Sequence, residues 1–219
     1  KSLSVALNSI DHMEGIVTEL LNFARPKPME FRVEPMNNII NESLAFAQLH
    51  MNKRRIAVKK VLDSALPEVL LDAPRFKEAI INILLNAVQA IDGRNQRLRR
   101  DEIRILTKRI HLRNTLRDFA LAEGLGEKVS ASIGNEIVIK RGTECALIEI
   151  SDTGCGIERT HLSRIFDPFF TTKTNGTGLG LPMVKRTVNA HGGIVAVKSK
   201  QGQGTTFSIY LPLSDGTKV

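Results

Sequence analysis

The first apolar pattern in the chain has helical spacing. Over residues 3–24 an apolar side chain recurs every three or four positions, which predicts an amphipathic helix with a coiled-coil-like seam of about three heptads. Pro26 and Pro28 follow, and proline ends a helix because it lacks a backbone N–H. Residues 1–28 are therefore predicted to be a helix and linker that precede a separate domain.

Residues 29–219 mix two other patterns. Alternating apolar and polar residues predict strands, and longer apolar runs with a 3.6-residue period predict helices. The predicted strands are 31–35, 55–62, 68–72, 102–112, 135–142, 145–152, 193–200 and 204–213, and the predicted helices are 37–50, 74–91, 114–125 and one that follows Gly180. The segments 135–142 and 145–152 are expected to form a hairpin around Gly142, and the last two strands a second hairpin. This mixture predicts an α/β layered domain.

Charge and composition narrow the class of protein. The net charge is +8, and residues 93–113 hold eight Lys/Arg against two acids, a local excess of +6. This basic stretch has no aromatic residues for stacking on bases, so a solvated insertion is favoured over a nucleic-acid site. Two cysteines make no disulfide framework and favour a reducing compartment. No apolar run reaches the ~18 residues of a membrane span.

The predicted helix 74–91 carries two polar side chains on an otherwise apolar stripe. Asn82 and Asn86 lie four residues apart and so on one face. A buried amide needs polar partners, and amide oxygens can bind Mg²⁺ directly or through water. A shared polar ligand of Asn82 and Asn86 is one interpretation. A pair of hydrogen-bonded core amides is the other.

The strand 145–152 ends in an acid followed by two glycines. Asp152 is an acceptor at the end of the sheet, and Gly154 and Gly156 allow a ligand to approach the backbone closely. An ordinary Asx turn would give the same pattern.

Residues 165–181 hold the densest group of candidate ligand-binding residues. Phe166, Phe169 and Phe170 can anchor one end of a loop, and hydroxyl, ammonium and glycine groups follow that suit a phosphate. Those residues are Thr171, Thr172, Lys173, Gly176, Gly178 and Gly180. The glycine spacing is neither a Walker loop nor a Rossmann fingerprint. The loop lies between two elements and is therefore also able to act as a lid.

The order of these motifs resembles the catalytic and ATP-binding domain of bacterial sensor histidine kinases, most nearly the nitrogen-regulation and sporulation types. "NILLNAVQA" is similar to their N box, "DTGCGI" to the G1 box, "IFDPFFTTK" to the F box and "GTGLGL" to the G2 box. "LLNFARP" resembles the end of the second helix of the dimerisation and phosphotransfer hairpin. The resemblance implies an α/β (α+β) two-layer sandwich of the Bergerat type, residues 29–219, preceded by part of that hairpin and its linker, residues 1–28.

The resemblance also implies roles for matching residues. Asn86, assisted by Asn82, would bind the Mg²⁺ of Mg-ATP, and Asp152, supported by Thr206, would accept a hydrogen bond from the adenine amino group. Lys173 and the loop amides would hold the phosphates. The implied catalytic residues are Asn82, Asn86 and Lys173, and the further ATP-binding residues are Asp152, Gly154, Gly156, Ile157, Phe170, Thr171, Thr172, Gly176, Thr177, Gly178, Leu179, Gly180 and Thr206.

One position distinguishes activities within this superfamily. The related gyrase and chaperone ATPases have a water-activating Glu where this chain has Asn82, and an amide cannot act as a general base. Transfer of the γ-phosphoryl group to a histidine, and then to a response-regulator aspartate, is therefore expected. A nucleotide-binding regulatory module without transfer activity and a gyrase-type ATPase, in which Glu78 replaces the missing acid, are the alternatives.

Two departures from the family pattern stand out. No His–acid phosphoacceptor motif is present, since His12 is followed by Met13, so the acceptor is expected outside this sequence. The stretch 93–134 is longer than usual and is predicted to be an insertion. The implied partners are a response-regulator receiver domain and a second copy bound through the helical hairpin, in a cytoplasmic domain whose parent protein can be anchored in the inner membrane.

Overall fold

The computed structural model describes residues 20–21, 28–94, 101–118, 137–173 and 176–213. These residues form a layer of helices packed on one face of a central sheet. The predicted N-terminal helix, His12 and most of the hairpin and linker segment 1–28 lie outside the described residues, as does most of the predicted helix 114–125.

The central sheet contains five strands in the order β2-β4-β7-β9-β8. Only β2 and β4 are parallel, and the other pairs are antiparallel. The strands are β2 Ala57–Val61, β4 Glu102–His111, β7 Glu144–Asp152, β8 Ile194–Lys200 and β9 Gly204–Pro212. The β8–β9 hairpin confirms the expectation for the end of the chain.

Four helices are described, and three of them form the second layer. They are α1 Met36–Arg54, α2 Ala73–Asp92, the short α3 Arg159–Leu162 and α4 Gly180–Ala190. Helix α2 packs against α1, α4 and the sheet, so it occupies the middle of the layer. Its inner face is formed by buried apolar side chains, namely Phe76, Ala79, Ile80, Ile83, Leu84, Ala87, Val88 and Ile91.

Local sequence explains where α2 begins. Asp72 caps the helix, because its side chain accepts a hydrogen bond from the backbone N–H of Arg75 at 3.2 Å. Pro74 lies in the first turn, where a missing N–H costs nothing. A two-stranded sheet of β1 Arg32–Glu34 and β3 Val69–Leu71 lies next to this end.

His191 ties the end of α4 to the start of α2. Its Nε2 accepts a hydrogen bond from the Asp72 backbone N–H at 2.9 Å, so the proton lies on Nδ1, which donates to the Thr187 carbonyl at 2.7 Å. Phe31 and Phe76 pack edge-on to the ring, with centroids 5.2 Å and 5.4 Å away. Burial lowers the pKa of His191.

The region between α2 and β7 differs from the sequence prediction in its pairing. Strand β6, Val138–Ile139, pairs with β5, Leu116–Arg117, and not with β7, so the predicted hairpin around Gly142 is wrong. The partner of β7 is instead β4, which the predicted insertion 93–134 had included. Because β4 is an inner strand of the sheet, any insertion is confined to residues that flank it.

We call residues 112–118 and 137–142 the flap. It covers a second, smaller apolar core made by Leu112, Ile139, Cys145 and Ile194. Leu116, inside the predicted helix 114–125, belongs to strand β5 because its side chain packs on this core. Of the helices in the described part of the chain, none has both the length and the apolar character to span a bilayer.

Candidate functional site

A cavity of about 630 Å³ opens between α2, the ends of β7 and β9, and the loop that leads into α4. Its wall combines apolar, amide, hydroxyl and charged groups. The lining residues from the sequence prediction are Asn82, Asn86, Asp152, Gly156, Ile157, Phe170, Thr171, Thr172, Lys173, Gly176, Thr177, Gly178 and Gly180. Motifs that are far apart in the sequence therefore meet around one space.

Asn82 and Asn86 lie at one end of the cavity, one turn apart on α2. The first residue of α4, Gly180, faces both of them, since a Cβ added there would lie 3.8 Å from the Asn82 Oδ1 and 3.9 Å from the Asn86 Nδ2. The start of α4, where backbone amides are free, thus adjoins the two carboxamides.

A lysine from the loop reaches this same end. The ammonium group of Lys173 donates to the Asn86 Oδ1 at 2.7 Å and to the Gln89 Oε1 at 2.5 Å. The amide oxygen of Asn86 is therefore already placed to contact a cation, which is the property that a hard metal ion such as Mg²⁺ requires. Among the described residues no cluster of three His, Cys, Asp or Glu is present.

Asp152 lines the cavity close to Ala90, one turn of α2 beyond Asn86, and is buried. Its Oδ1 accepts hydrogen bonds from the backbone N–H groups of Gly154 at 2.7 Å and Thr205 at 3.3 Å. Burial raises the pKa of Asp152 to about 6, while these amides and the nearby charges of Arg94 and Lys173 act in the opposite direction. One carboxylate oxygen is thus fixed by the backbone, and Oδ2 accepts no hydrogen bond from the part of the chain described.

The cavity is lined by Thr205, one residue before the predicted Thr206. Alternation along β9 puts Thr205, Phe207 and Ile209 on the helix-covered face with Asp152, whereas Thr206 bonds Ser151 on the opposite face at 2.9 Å. Thr205 lines the cavity instead. The apolar period of two in "TFSIYL" marks this face, and it could have identified Thr205 from the sequence.

The loop after Asp152 closes tightly on α2 and on the β8–β9 turn. A Cβ on Gly154 would come within 2.6 Å of the Ala90 Cβ, and one on Gly156, at φ +69°, would overlap the backbone of Lys200. The N–H of Cys155 donates to the Ala90 carbonyl at 2.9 Å, and that of Ile157 to the Ser199 hydroxyl at 2.8 Å. Both glycines are therefore required by close approach, and Gly154 supports the wall rather than lining it.

The loop into α4 is built on a pair of left-handed residues. Gly178 has φ +70°, Phe169 has φ +66°, and the Phe169 N–H donates to the Gly178 carbonyl at 3.1 Å. A Cβ on Gly178 would overlap the Phe169 backbone. The Thr177 hydroxyl accepts a hydrogen bond from the backbone N–H of Leu179, just before α4, at 3.3 Å. The Leu179 side chain is buried and does not line the cavity.

Of the three phenylalanines predicted to anchor the loop, only two are buried or half-buried. Phe166 is buried and Phe170 is half-buried, but Phe169 is 60% exposed, so it does not anchor the loop to the core. Phe170 instead packs edge-on to His161, with centroids 5.5 Å apart, and carries the Arg164 guanidinium 4.5 Å above its ring. His161 lines the cavity and was not identified from the sequence.

Glu78, the acid that a hydrolase would need, lies outside the site. It is exposed on α2 and is absent from the cavity wall. The position one turn closer to Asn86 holds Asn82, which has no carboxylate.

Comparison with known proteins matches this chain to one family. The family described as histidine kinase-, DNA gyrase B- and HSP90-like ATPase matches residues 71–215. The signal transduction histidine-protein kinase AtoS of Escherichia coli (strain K12) is 33% identical over 212 residues, which cover 97% of this chain and 29% of AtoS. The sensory histidine kinase/phosphatase NtrB of Vibrio alginolyticus is 28% identical over 209 residues, or 95% of this chain and 51% of NtrB.

Solved structures share the fold. Full-length ShkA in complex with AMPPNP has a TM-score of 0.70 at 22% identity, covering 99% of this chain and 39% of ShkA. The histidine kinase ThkA in complex with the response regulator protein TrrA has a TM-score of 0.66 at 21% identity, covering 100% of this chain and 52% of that one. The chain thus spans about a third to a half of the length of these four proteins. It belongs to the histidine kinase-, DNA gyrase B- and HSP90-like ATPase family, and within it to the catalytic domains of the sensor histidine kinases.

Proposed function

We propose that this domain transfers the γ-phosphoryl group of Mg-ATP to a histidine on a dimerisation helix, from which it passes to an aspartate of a response regulator. The observation that carries this proposal is the arrangement of chemically distinct groups around one cavity. A backbone-fixed carboxylate, Asp152, lies close to Ala90 of α2. Asn86, bonded to Lys173, lies one helical turn from Ala90, ~6 Å along the axis, and Asn82 lies ~12 Å away.

Asp152 would hold the adenine. Its Oδ1 is occupied by two backbone amides, which leaves Oδ2 to accept a hydrogen bond from the exocyclic amino group of the base. Because Oδ2 is an acceptor, a base with an amino donor, such as adenine, fits this place better than a group with no such donor. Guanine carries a carbonyl oxygen at that position, so it would face the carboxylate unfavourably.

The triphosphate would extend towards Asn86. Asn86, with Asn82 beside it, would hold Mg²⁺, which when bound neutralises phosphate charge and orients the γ-phosphoryl group. Lys173 would move from Asn86 and Gln89 onto a phosphate oxygen, and the amides from Gly176 to Gly180 would donate to the others. In the transfer, a histidine nitrogen forms a bond to the γ-phosphorus as the bond from phosphorus to the bridging oxygen breaks and ADP leaves.

The side chains around the phosphate end favour transfer over hydrolysis. Hydrolysis needs a base that takes a proton from the attacking water, and Asn82 cannot accept one. An incoming histidine needs no such base, because its neutral imidazole already presents a lone pair. Glu78 is exposed and outside the cavity, which weighs against its use as a substitute base.

The proposed partners are a second copy of the protein, bound through the helical hairpin, and a response-regulator receiver domain. The complex of the similarly folded ThkA with its response regulator protein supports the second of these. We place this domain in the cytoplasm, where ATP and the response regulator are available, whether or not its parent protein is anchored in the inner membrane.

The test is phosphorylation in trans. The chain is mixed with a separately produced dimerisation hairpin that carries the acceptor histidine, and with ATP labelled at the γ-phosphate. We expect acid-labile, base-stable label on the hairpin, lost in Asp152→Asn and Asn86→Ala but retained in Glu78→Ala. Binding of ATP without any labelled hairpin would leave a regulatory nucleotide-binding module, and rapid release of phosphate that depends on Glu78 would indicate a hydrolase.

A further inference from the structure

A buried acidic side chain of the flap contacts α4. Asp118, at the end of β5, is 7% exposed, and its backbone N–H donates to the Ile137 carbonyl at 2.8 Å, which fixes it to the other strand of the flap. Its side chain points away from that strand pair and towards α4. An acid in this position is costly to bury unless it is paired.

Two residues on one face of α4 pair with this acid. The Asn189 amide donates to the Asp118 Oδ2 at 2.6 Å, and the Lys185 ammonium lies 3.4 Å from the Asp118 Oδ1. Lys185 is itself 13% exposed, and its ammonium is 5.7 Å from the Phe166 ring centroid. The contact is therefore a buried charge pair with hydrogen-bond support, which is the kind of ion pair that specifies one arrangement of its elements.

The other end of α4 meets the phosphate side of the cavity. Gly180 opens the helix against Asn82 and Asn86. By helix rise, Lys185 lies ~7.5 Å and Asn189 ~13.5 Å further along the axis. A helix of 11 residues is stiff, so a tilt at its attachment to the flap also displaces its first turn, where the amides and the glycine loop lie.

We propose that Asp118 is a positioning residue for the phosphate end of the site: by holding Lys185 and Asn189, it fixes the direction of α4 and so the place of the amides that receive the triphosphate. This inference rests on the proposed function for the identity of the ligand. It assigns a role to the flap, a segment that the family motifs leave unexplained. Asp118 does not line the cavity, so we expect it to act through α4.

A selective binding defect would distinguish positioning from general stability. In Asp118→Asn we expect the affinity for Mg-ATP to fall about five- to tenfold, while the affinity for adenosine, held at the Asp152 end, changes less than about twofold. Removing a negative charge by itself would strengthen the binding of an anion, so the expected change is opposite to the simple electrostatic effect. Titration calorimetry with both ligands measures the ratio.

Glu144→Gln is the matched control. It removes the same charge from an acid that pairs with Arg109 across β4 and β7 and has no described contact with α4. We expect unchanged affinities for both ligands. Asn189→Ala is the second variant for the case that Asp118→Asn does not fold: it deletes the hydrogen bond, leaves the ion pair in place and should weaken Mg-ATP binding in the same selective way.

Two results would overturn the inference. Equal losses of Mg-ATP and adenosine affinity would show that the flap only stabilises the domain, and unchanged affinities in both variants would show that α4 does not need it. The outcome is separate from the proposed function: a chain that binds ATP and shows the selective defect but never phosphorylates the hairpin supports the positioning role and refutes the transferase. A wild-type chain that does not bind ATP refutes both.

Discussion

At the scale of single residues, Asp152 gives the site a pH dependence. Its pKa is raised to about 6 by burial, and only the ionised form offers both oxygens as acceptors. Adenine binding should therefore follow ionisation and strengthen as the pH rises through about 6. Adenosine affinity is expected to fall about tenfold from pH 7 to pH 5. Adenosine is the right ligand, since it has no phosphate that titrates in this range.

The control for this prediction uses two arginines. Arg94 is 90% buried near Asp152, and its charge holds the pKa of that carboxyl down. Arg94→Met should therefore move the midpoint of adenosine binding to higher pH. Arg104→Met removes an equal charge from an exposed position that pairs with Glu102, and it should leave the midpoint in place. A midpoint that does not respond to Arg94→Met would show that another group sets the titration.

Gly178 supports a second prediction at this scale. Its φ of +70° costs an L-residue about 1–2 kcal/mol, and a Cβ there would also overlap the Phe169 backbone. Gly178→Ala should weaken Mg-ATP binding by more than tenfold, and adenosine binding should be nearly unchanged. Gly202→Ala is matched in φ, at +78°, but has free space for the Cβ and lies in the β8–β9 turn. Gly202→Ala should lower the stability of the domain but leave the affinity for Mg-ATP unchanged. Equal Mg-ATP affinities in the two variants would contradict the prediction.

The site residues differ in how far the local sequence pattern predicts them. Asn82, Asn86 and Asp152 could be predicted because each breaks an apolar pattern, and a polar residue in an apolar helix or at a strand end implies a partner. Thr205 was missed by one position because the choice of face depends on the register of β9. The contact between Lys173 and Gln89 joins residues 84 positions apart, and no local pattern encodes such a pairing.

At the scale of elements, the tie between α2 and α4 should make stability pH-dependent. Burial lowers the pKa of His191 below its ordinary value of 6.5, so between the two values the unfolded chain binds a proton that the folded chain does not. Its contribution to stability is present above pH 6.5 and is lost as the pH falls below that value. Asp72 and Arg75 are the charged neighbours of the ring.

His191→Ala tests this tie. The change leaves the buried Asp72 N–H without its acceptor and removes the packing of two phenylalanines, so we expect a loss of about 1–3 kcal/mol at pH 7.5. The loss of stability should be larger at pH 7.5 than at pH 5.5, which urea unfolding of variant and wild type at both pH values measures. His50→Ala, at an exposed position on α1, is the control and should cost little stability at either pH. An equal loss at the two pH values in His191→Ala would show that His191 does not contribute to the pH dependence.

Periodicity predicted most of the elements but not all of their partners. The helices 36–54, 73–92 and 180–190 and the strands of the central sheet follow local patterns, and each lies close to its predicted range. The pairing of β6 with β5 and of β7 with β4 depends on which strand lies alongside, a long-range choice that adjacent sequence does not decide. Strand β4 was predicted, at 102–112, although it lies in the basic stretch 93–113, because the buried Ile103 and Ile105 alternate with polar residues.

At the scale of the whole molecule, the proposed transferase differs from an ATP hydrolase in its expected turnover, because Asn82 cannot act as a general base. We expect multiple-turnover ATP hydrolysis by this chain to stay near the rate without enzyme, and Glu78→Ala to leave it unchanged. Release of phosphate from ATP in excess measures the rate. Turnover that collapses in Glu78→Ala would contradict this expectation, and Lys77→Ala, a neighbouring exposed change that breaks a surface ion pair with Glu42, controls for effects on α2.

The contact between Lys173 and Asn86 has a consequence for how the site is loaded. The lysine ammonium is bonded to the same amide oxygen that would bind Mg²⁺ in the proposed site. If Asn86 binds Mg²⁺ as proposed, the metal ion and the ammonium group compete for this oxygen, so binding of Mg-ATP would release Lys173 from Asn86. The loop that carries Lys173 would then respond to the metal complex of the nucleotide more than to the nucleotide alone.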